Sequence, residues 1–320
     1  MIHLHRGHGQ EASLRPAREG EMDRKYALFL GCTIPARARN YEMSVRALAS
    51  RLGIELVDVE DFSCCGFPMA AADHSVAQLL AARNLSIAEQ MGLDICTLCS
   101  SCTSSLTETS HHLQAHPGEK GKVNERLARV QRSYKGPVRV RHFVRLLWEE
   151  VGLERLAREV VRPLAGIKLA AHYGCHFLKP SEVYGGFDSV EDPSTLDELI
   201  RVTGAQPLDY SRKKQCCGGS VLVADERTAL AIGRDKLREV KELGVDGLVV
   251  VCPFCGVMFD SQQKKMEKTF EETYEIPVLY LTQVLGLAMG MEEKELGLST
   301  HAVKTRSVME RLQASVGAQG

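Results

Sequence analysis

Short apolar runs alternate with amphipathic stretches along most of the chain, and the change of period predicts a repeated strand–helix plan. Tyr26-Ala27-Leu28-Phe29-Leu30 is continuously apolar, as expected of a strand buried on both faces. Asn40 to Leu52 carries apolar residues at helical spacing (Met43, Ala47 and Leu48, with Val45 and Leu52 beside them) and stops at Gly53, a residue suited to a C-cap. Ile54-Glu55-Leu56-Val57-Asp58 alternates as a strand, Ser75 to Met91 predicts a second long helix ending at Gly92, and Asp94 to Leu98 predicts another strand. His111 to Gly136 reads as a charged, mostly helical connection. A strand over Pro137 to His142 and a helix start over Phe143 to Trp148 follow.

The plan then begins again. Ile167 to Tyr173 predicts a strand, Thr195 to Thr203 a helix capped at Gly204, Arg227 to Leu243 a helix ending at Gly244, and Asp246 to Val251 a strand. Glu89 to Asp94 and Lys241 to Asp246 occupy equivalent places, as do Val138 to Leu147 and Pro277 to Leu285. Such correspondence over a whole unit is a domain duplication rather than a repeated motif. The expected fold class is α/β with two tandem domains. Their limits are expected at 25–163 and 164–290, with a mobile tail over 1–24 and a C-terminal tail over 291–320 that holds one helix.

The cysteines follow the same repeat. Gly31-Cys32, Cys64-Cys65-Gly66 and Cys99-Ser100-Ser101-Cys102 in the first half are matched by Gly174-Cys175, Cys216-Cys217-Gly218 and Cys252-Pro253-Phe254-Cys255 in the second. Ten of the eleven cysteines are used, which leaves Cys96, expected as a packed free thiol. Each set falls just past the carboxyl ends of predicted strands, where open α/β sheets place their sites. Thiolates are soft ligands that select zinc, copper(I) and iron–sulfur clusters. A tetrahedral zinc takes four ligands and each half offers five. Adjacent cysteines project apart, so both serve one object only if it is larger than an ion. An extended cluster meets that need. A structural zinc at each Cys-x-x-Cys, and a thioredoxin-type dithiol, both leave the adjacent pairs unexplained. Gly66 and Gly218 are placed to let the backbone take a positive φ and approach the cluster.

Composition narrows the class. The 320 residues hold 44% hydrophobic and 25% charged residues, as a globular protein does. Forty basic against 41 acidic residues give no electrostatic argument for nucleic acid. No apolar run reaches membrane-spanning length; the nearest, Val278 to Met291, is broken by Thr282-Gln283 and by two glycines. The N-terminal stretch is polar and contains Glu11, unlike a secretory signal, and a cytoplasmic location is expected. In a reducing cytosol so many cysteines indicate metal or redox work rather than disulfides. His3, His5 and His8 show no periodicity and read as part of the tail.

The sequence resembles the B subunit of heterodisulfide reductase, a protein with two cysteine-rich "CCG" domains, from about Tyr26 to Leu298. The likeness rests on Phe29-Leu30-Gly31-Cys32, Ser63-Cys64-Cys65-Gly66, Ala82-Arg83-Asn84, Cys99-Ser100-Ser101-Cys102, Val140-Arg141-His142-Phe143, His172-Tyr173-Gly174-Cys175-His176, Cys216-Cys217-Gly218-Gly219, Cys252-Pro253-Phe254-Cys255 and Leu285 to Met291. It implies two Rossmann-like domains related by a pseudo-two-fold axis, each binding a noncubane [4Fe–4S] cluster. Cys32, Cys64, Cys65, Cys99 and Cys102 would hold one; Cys175, Cys216, Cys217, Cys252 and Cys255 the other. Two departures lie beside the implied substrate gap: Ser100-Ser101, where methanogen members are expected to carry Asn-Gly, and Phe67-Pro68-Met69.

The resemblance further implies a catalytic subunit that reduces a disulfide, the coenzyme M–coenzyme B heterodisulfide or a related sulfur compound. Cys32, Cys64, Cys65, Cys175, Cys216 and Cys217 would face the reaction, with His176 as a proton source and His172 and Lys179 nearby. Without a ferredoxin motif or a nucleotide-binding glycine fingerprint, the chain needs partners. The implied ones are a ferredoxin-like C subunit and a flavin-containing A subunit, with a hydrogenase or formate dehydrogenase upstream. The alternative is an electron-transfer subunit of a quinone-linked or sulfur-oxidising assembly that performs no bond chemistry. A duplicated zinc protein is told from both by its lack of colour.

Overall fold

The computed structural model describes residues 24 to 317; the three N-terminal histidines lie outside them. Two four-stranded parallel sheets organise the chain. The first contains β1 (Lys25–Phe29), β2 (Glu55–Asp58), β3 (Asp94–Thr97) and β4 (Val140–His142) in the order β2-β1-β3-β4. The second contains β5 (Lys168–His172), β6 (Gln206–Leu208), β7 (Gly247–Val250) and β8 (Val278–Tyr280) in the order β6-β5-β7-β8. Register matches between the halves: Phe29 pairs with Thr97 as His172 pairs with Val250, and Thr97 with His142 as Val250 with Tyr280. In this order the chain reverses direction between β1 and β3, and between β5 and β7. A crevice opens at such a switch point, outside the strand ends.

The long helices form where periodicity placed them, over Arg39–Arg51, His74–Met91 and Glu226–Glu242. Asp73 and Asp225 cap equivalent helices, each accepting a backbone N–H three residues on at 3.0 Å. Some elements escape the periodic pattern. The helix Ser100–Ala115 starts directly at Cys99, because a run of serines and threonines hides its buried face. The helix Leu153–Glu159 and the three-residue strand β6 are too short to carry a period.

Packing joins the two halves and corrects one expectation. The buried apolar side chains form one continuous cluster through both halves. A tail is expected over 291–320, but Leu296, Leu298, Val308, Met309 and Leu312 are buried. His301, also buried, contacts Asp260, Gln283 and Asn40 at 3.3, 3.0 and 3.1 Å, so this segment ties the first half to the second. The helix Arg39–Arg51 lies against Leu281–Ala288 of the other half. There Tyr41 stacks on Tyr280 with centroids 4.0 Å apart, and the Ser44 and Thr282 hydroxyls hydrogen-bond at 2.6 Å. Among the described residues no helix is long and apolar enough to cross a membrane.

Candidate functional site

Every predicted cysteine arrives at the carboxyl end of a sheet. Cys32 and Cys175 follow β1 and β5 and are exposed; Cys64 and Cys216 are half-buried; Cys65, Cys99, Cys102, Cys217, Cys252 and Cys255 are buried. Cys99 and Cys252 occupy the N-cap positions of the helices Ser100–Ala115 and Pro253–Gly256. Backbone N–H groups point at the paired sulfurs: Gly66 donates to Cys64 at 3.4 Å, Gly218 to Cys216 at 3.3 Å and Gly219 to Cys217 at 3.3 Å. Donors of this kind favour a thiolate. The CCG turns are possible only with glycine third. Gly66 and Gly218 have φ of +88° and +87°, and a Cβ on either would sit 2.4 or 2.5 Å from the carbonyl oxygen of Ala77 or Ala229.

The ten sulfurs form a single string. Cys32 neighbours Cys64, Cys64 neighbours Cys65, Cys65 neighbours Cys102 and Cys102 neighbours Cys99. Cys175, Cys216, Cys217, Cys255 and Cys252 repeat that order, and Cys99 meets Cys252 at the centre. The thiols of Cys102 and Cys64 hold Cys65 well below the usual range, and those of Cys175 and Cys217 do the same for Cys216. Cys32 and Cys175, at the outer ends, are pushed above it by their bonds to Cys64 and Cys216. Among the described residues no group of His, Cys, Asp and Glu surrounds a single metal ion. Two sets of five soft donors, with backbone N–H groups turned toward the paired cysteines, suit iron–sulfur clusters.

A cavity runs along the second row, lined by Cys175, Cys216, Cys217, Cys252 and Cys255 and closed on the other side by Phe67, Ser100 and Ser101 of the first half. The Ser100 hydroxyl is buried there without a hydrogen-bond partner, so a donor stands ready at the pocket wall. Phe67, Ser100 and Ser101, singled out in the sequence, therefore line this gap. His176 also lines it, edge-on to Phe67 at 4.8 Å. Its Nδ1 lies 3.1 Å from the Ser104 hydroxyl, which in turn donates to the Glu108 carboxylate. His176 and Phe67 also border a neighbouring cavity of about 420 Å³ whose walls include His74, His111, His112 and His116.

Other predicted residues are placed as follows. His172 is buried with Nε2 3.2 Å from the Cys255 sulfur, and burial and the nearby Lys236 hold its pKa well below normal. Lys179 is exposed and lines neither cavity. Cys96 is fully buried in β3, and burial pushes its thiol pKa up.

Several groups play parts that sequence reasoning does not assign. Asn84 is buried and accepts from the Ser63 N–H at 2.9 Å while donating to the Cys64 carbonyl at 3.0 Å, so it holds the first CCG turn. Tyr41 and His142 both donate to the Val251 carbonyl next to Cys252, at 3.1 and 2.9 Å. Lys236 is buried, and burial pushes it down to about 8. Asn84 and His142 stand within motifs that carry the resemblance, and Glu108 shares a four-residue spacing with His112 and His116. Tyr41 and Lys236 leave no signal in the sequence, because the helices that carry them show only an ordinary amphipathic pattern.

Comparison with known proteins agrees with the geometry. A cysteine-rich domain family matches residues 26–107 and again 169–260, and an HdrB-like C-terminal domain matches 220–302. The chain is 36% identical to the B subunit of the ferredoxin/F420H2-dependent CoB–CoM heterodisulfide reductase of Methanosarcina acetivorans, over 90% of this chain and 97% of that one. It is 38% identical to a protein of Archaeoglobus profundus described as like the heterodisulfide reductase B subunit, over 86% and 94%. An 8-methylmenaquinol:fumarate reductase membrane anchor subunit of Wolinella succinogenes is 34% identical over 88% and 98%. The fold matches a hypothetical protein from Helicobacter pylori with a TM-score of 0.72 and 18% identity, covering 89% of this chain and 53% of that one. The twice-matched cysteine-rich domain and these full-length relatives establish that the chain belongs to the family of heterodisulfide reductase B subunits.

Proposed function

We propose that the chain is the catalytic subunit of a heterodisulfide reductase-type complex and holds two noncubane [4Fe–4S] clusters. Cys32, Cys64, Cys65, Cys99 and Cys102 bind one, and Cys175, Cys216, Cys217, Cys252 and Cys255 bind the other. The observation that carries this reading is the gap that holds all five cysteines of the second set against Phe67, Ser100 and Ser101 of the first half. Bound clusters would supply one electron each and Lewis-acid iron for the departing thiolates. The overall change is a disulfide plus two electrons and two protons giving two thiols.

The protein's own part is access and proton supply. Phe67, Ser100 and Ser101 narrow the gap against the second row. Since the Ser104 hydroxyl donates to Glu108, it accepts from His176 Nδ1–H, which leaves Nε2 as the atom that carries and releases a proton toward a product thiolate. The histidine-lined cavity on the far side of His176 offers a path for its reprotonation. Electrons come from partners: a ferredoxin-like C subunit and a flavin-containing A subunit, fed by a hydrogenase or formate dehydrogenase, in the cytoplasm.

The test is an oxygen-free preparation assayed for iron, sulfide and disulfide-dependent oxidation of a one-electron dye. Two clusters and turnover are expected, with Cys65→Ala and Cys217→Ala each losing one cluster and the activity. Zinc in place of iron, or full iron and activity in both variants, defeats the reading. The identity to a fumarate reductase subunit favours a second reading, electron transfer to or from a quinone without bond chemistry. Clusters that titrate normally but never oxidise with any disulfide would favour it.

A further inference from the structure

The duplication supplies its own control, because each residue near one sulfur row has a counterpart near the other. Two of the differing pairs put a buried nitrogen donor or cation on the side of the second row. The register that pairs Phe29 with Thr97 pairs His172 with Val250, so Phe29 and His172 are equivalent. The glycines after them confirm it: a Cβ on Gly31 would meet Cys102 Sγ and the Phe29 ring, and one on Gly174 would meet Cys255 Sγ and the His172 ring. The helices capped by Asp73 and Asp225 likewise make Asn84 and Lys236 equivalent.

We propose that the two clusters are electronically inequivalent, the one on Cys175, Cys216, Cys217, Cys252 and Cys255 being the more easily reduced, because His172 and Lys236 stand where the first half has Phe29 and Asn84. The inference rests on the two-cluster reading above. A cluster-bound sulfur has no hydrogen, so it can only accept. The 3.2 Å approach of His172 Nε2 to Cys255 Sγ is then an N–H···S hydrogen bond. The opposite nitrogen, Nδ1, is buried without a partner, which a bare lone pair tolerates better than an unpaired N–H would. Phe29 offers Cys102 no donor; its ring packs against Phe62 at 5.0 Å.

Lys236 adds a cation. Its ammonium is buried, donates to the Arg212 carbonyl and lies 5.6 Å from the Tyr210 ring, on the helix whose Gly233, one turn earlier, packs against the Cys217 carbonyl. Asn84 at the equivalent place is neutral and spends its amide on the carbonyls of Ser63, Cys64 and Leu80. A hydrogen bond to sulfur and a buried positive charge both stabilise the state that holds one more electron, and both are known levers on cluster potential. The first electron delivered to the chain therefore settles on the second cluster.

The experiment is a redox titration of the anaerobic iron-loaded protein, followed by absorbance and electron paramagnetic resonance. Wild type should show two one-electron steps, with Cys217→Ala removing the upper and Cys65→Ala the lower. His172→Phe and Lys236→Met should each weaken the upper step about tenfold, ~59 mV for one electron, and leave the lower in place. His172→Gln, which keeps an N–H donor, should recover part of the shift. Loss of the upper step in Cys65→Ala, or an unmoved upper step in iron-replete His172→Phe and Lys236→Met, overturns the assignment. Failure of the two-cluster reading looks different: iron for fewer than two clusters, seen in the metal analysis before any titration.

Discussion

Cys99 and Cys252, from opposite halves of the chain and 153 positions apart in sequence, are neighbours where the two cysteine sets meet. Each begins a Cys-x-x-Cys at the N-terminus of a helix, so the pseudo-symmetry brings two helix ends and their partial positive charges to one place. Neither half alone could build this junction.

Cross-talk should therefore depend on position in the string. Cys99→Ala is expected to lose the first cluster and also to perturb the spectrum of the second, because Cys252 loses its neighbour. Cys32→Ala, at the outer end, should lose only the first. Iron per chain and the resonance spectrum of the remaining cluster are the readouts. An unperturbed second signal in Cys99→Ala would show that the junction carries no coupling.

Gly66→Ala and Gly218→Ala should each cost about 3 kcal/mol, combining positive-φ strain with the collision against the Ala77 or Ala229 carbonyl. Each should release its own cluster only. Chemical denaturation together with iron analysis checks both halves of the expectation.

Tyr41 is fully buried, stacked on Tyr280 and bonded to the Val251 carbonyl. Tyr41→Ala should destabilise by about 3–5 kcal/mol as an aromatic-to-alanine core truncation, and Tyr41→Phe by about 1 kcal/mol through the lost hydrogen bond. Equal losses in the two variants would mean that the stacking contributes little.

Acid should loosen the same seam. Burial, the largest cause, lowers the pKa of His142 from 6.5 to about 4. Its Nε2–H donates to Val251 and its Nδ1 accepts from the Val144 N–H at 3.2 Å, which leaves no place for a second proton. The unfolded chain takes up that proton near 6.5 and the folded chain only near 4. This stabilisation is complete above pH 6.5 and fades as the pH falls from there to about 4, by about 3 kcal/mol in all. Denaturation midpoints at pH 7 and pH 5 should differ less in His142→Gln than in wild type.

His176→Gln should retain full iron and lower disulfide turnover about a hundredfold, the usual scale of a lost general acid. Undiminished turnover would move the proton source elsewhere in the gap.

Much of this was written in one dimension. The alternation of apolar runs with amphipathic stretches fixes strands and helices because burial on both faces of a parallel strand, or on one stripe of a helix, constrains residues a few positions apart. The repeated cysteine grammar marked five cysteines in each half and the glycine after each pair, since a local turn demands it. Tertiary structure decided everything that depends on proximity across the duplication. Periodicity does not show that Leu296 and Leu312 complete a shared core, because a short apolar stretch reads as a tail until its partner surface exists. Nor does it show that Asn84 braces Cys64, that Cys99 touches Cys252, or that His172 rather than Phe29 meets a sulfur. Those contacts join residues far apart along the chain, and only the packing of the two sheets brings them within hydrogen-bond reach.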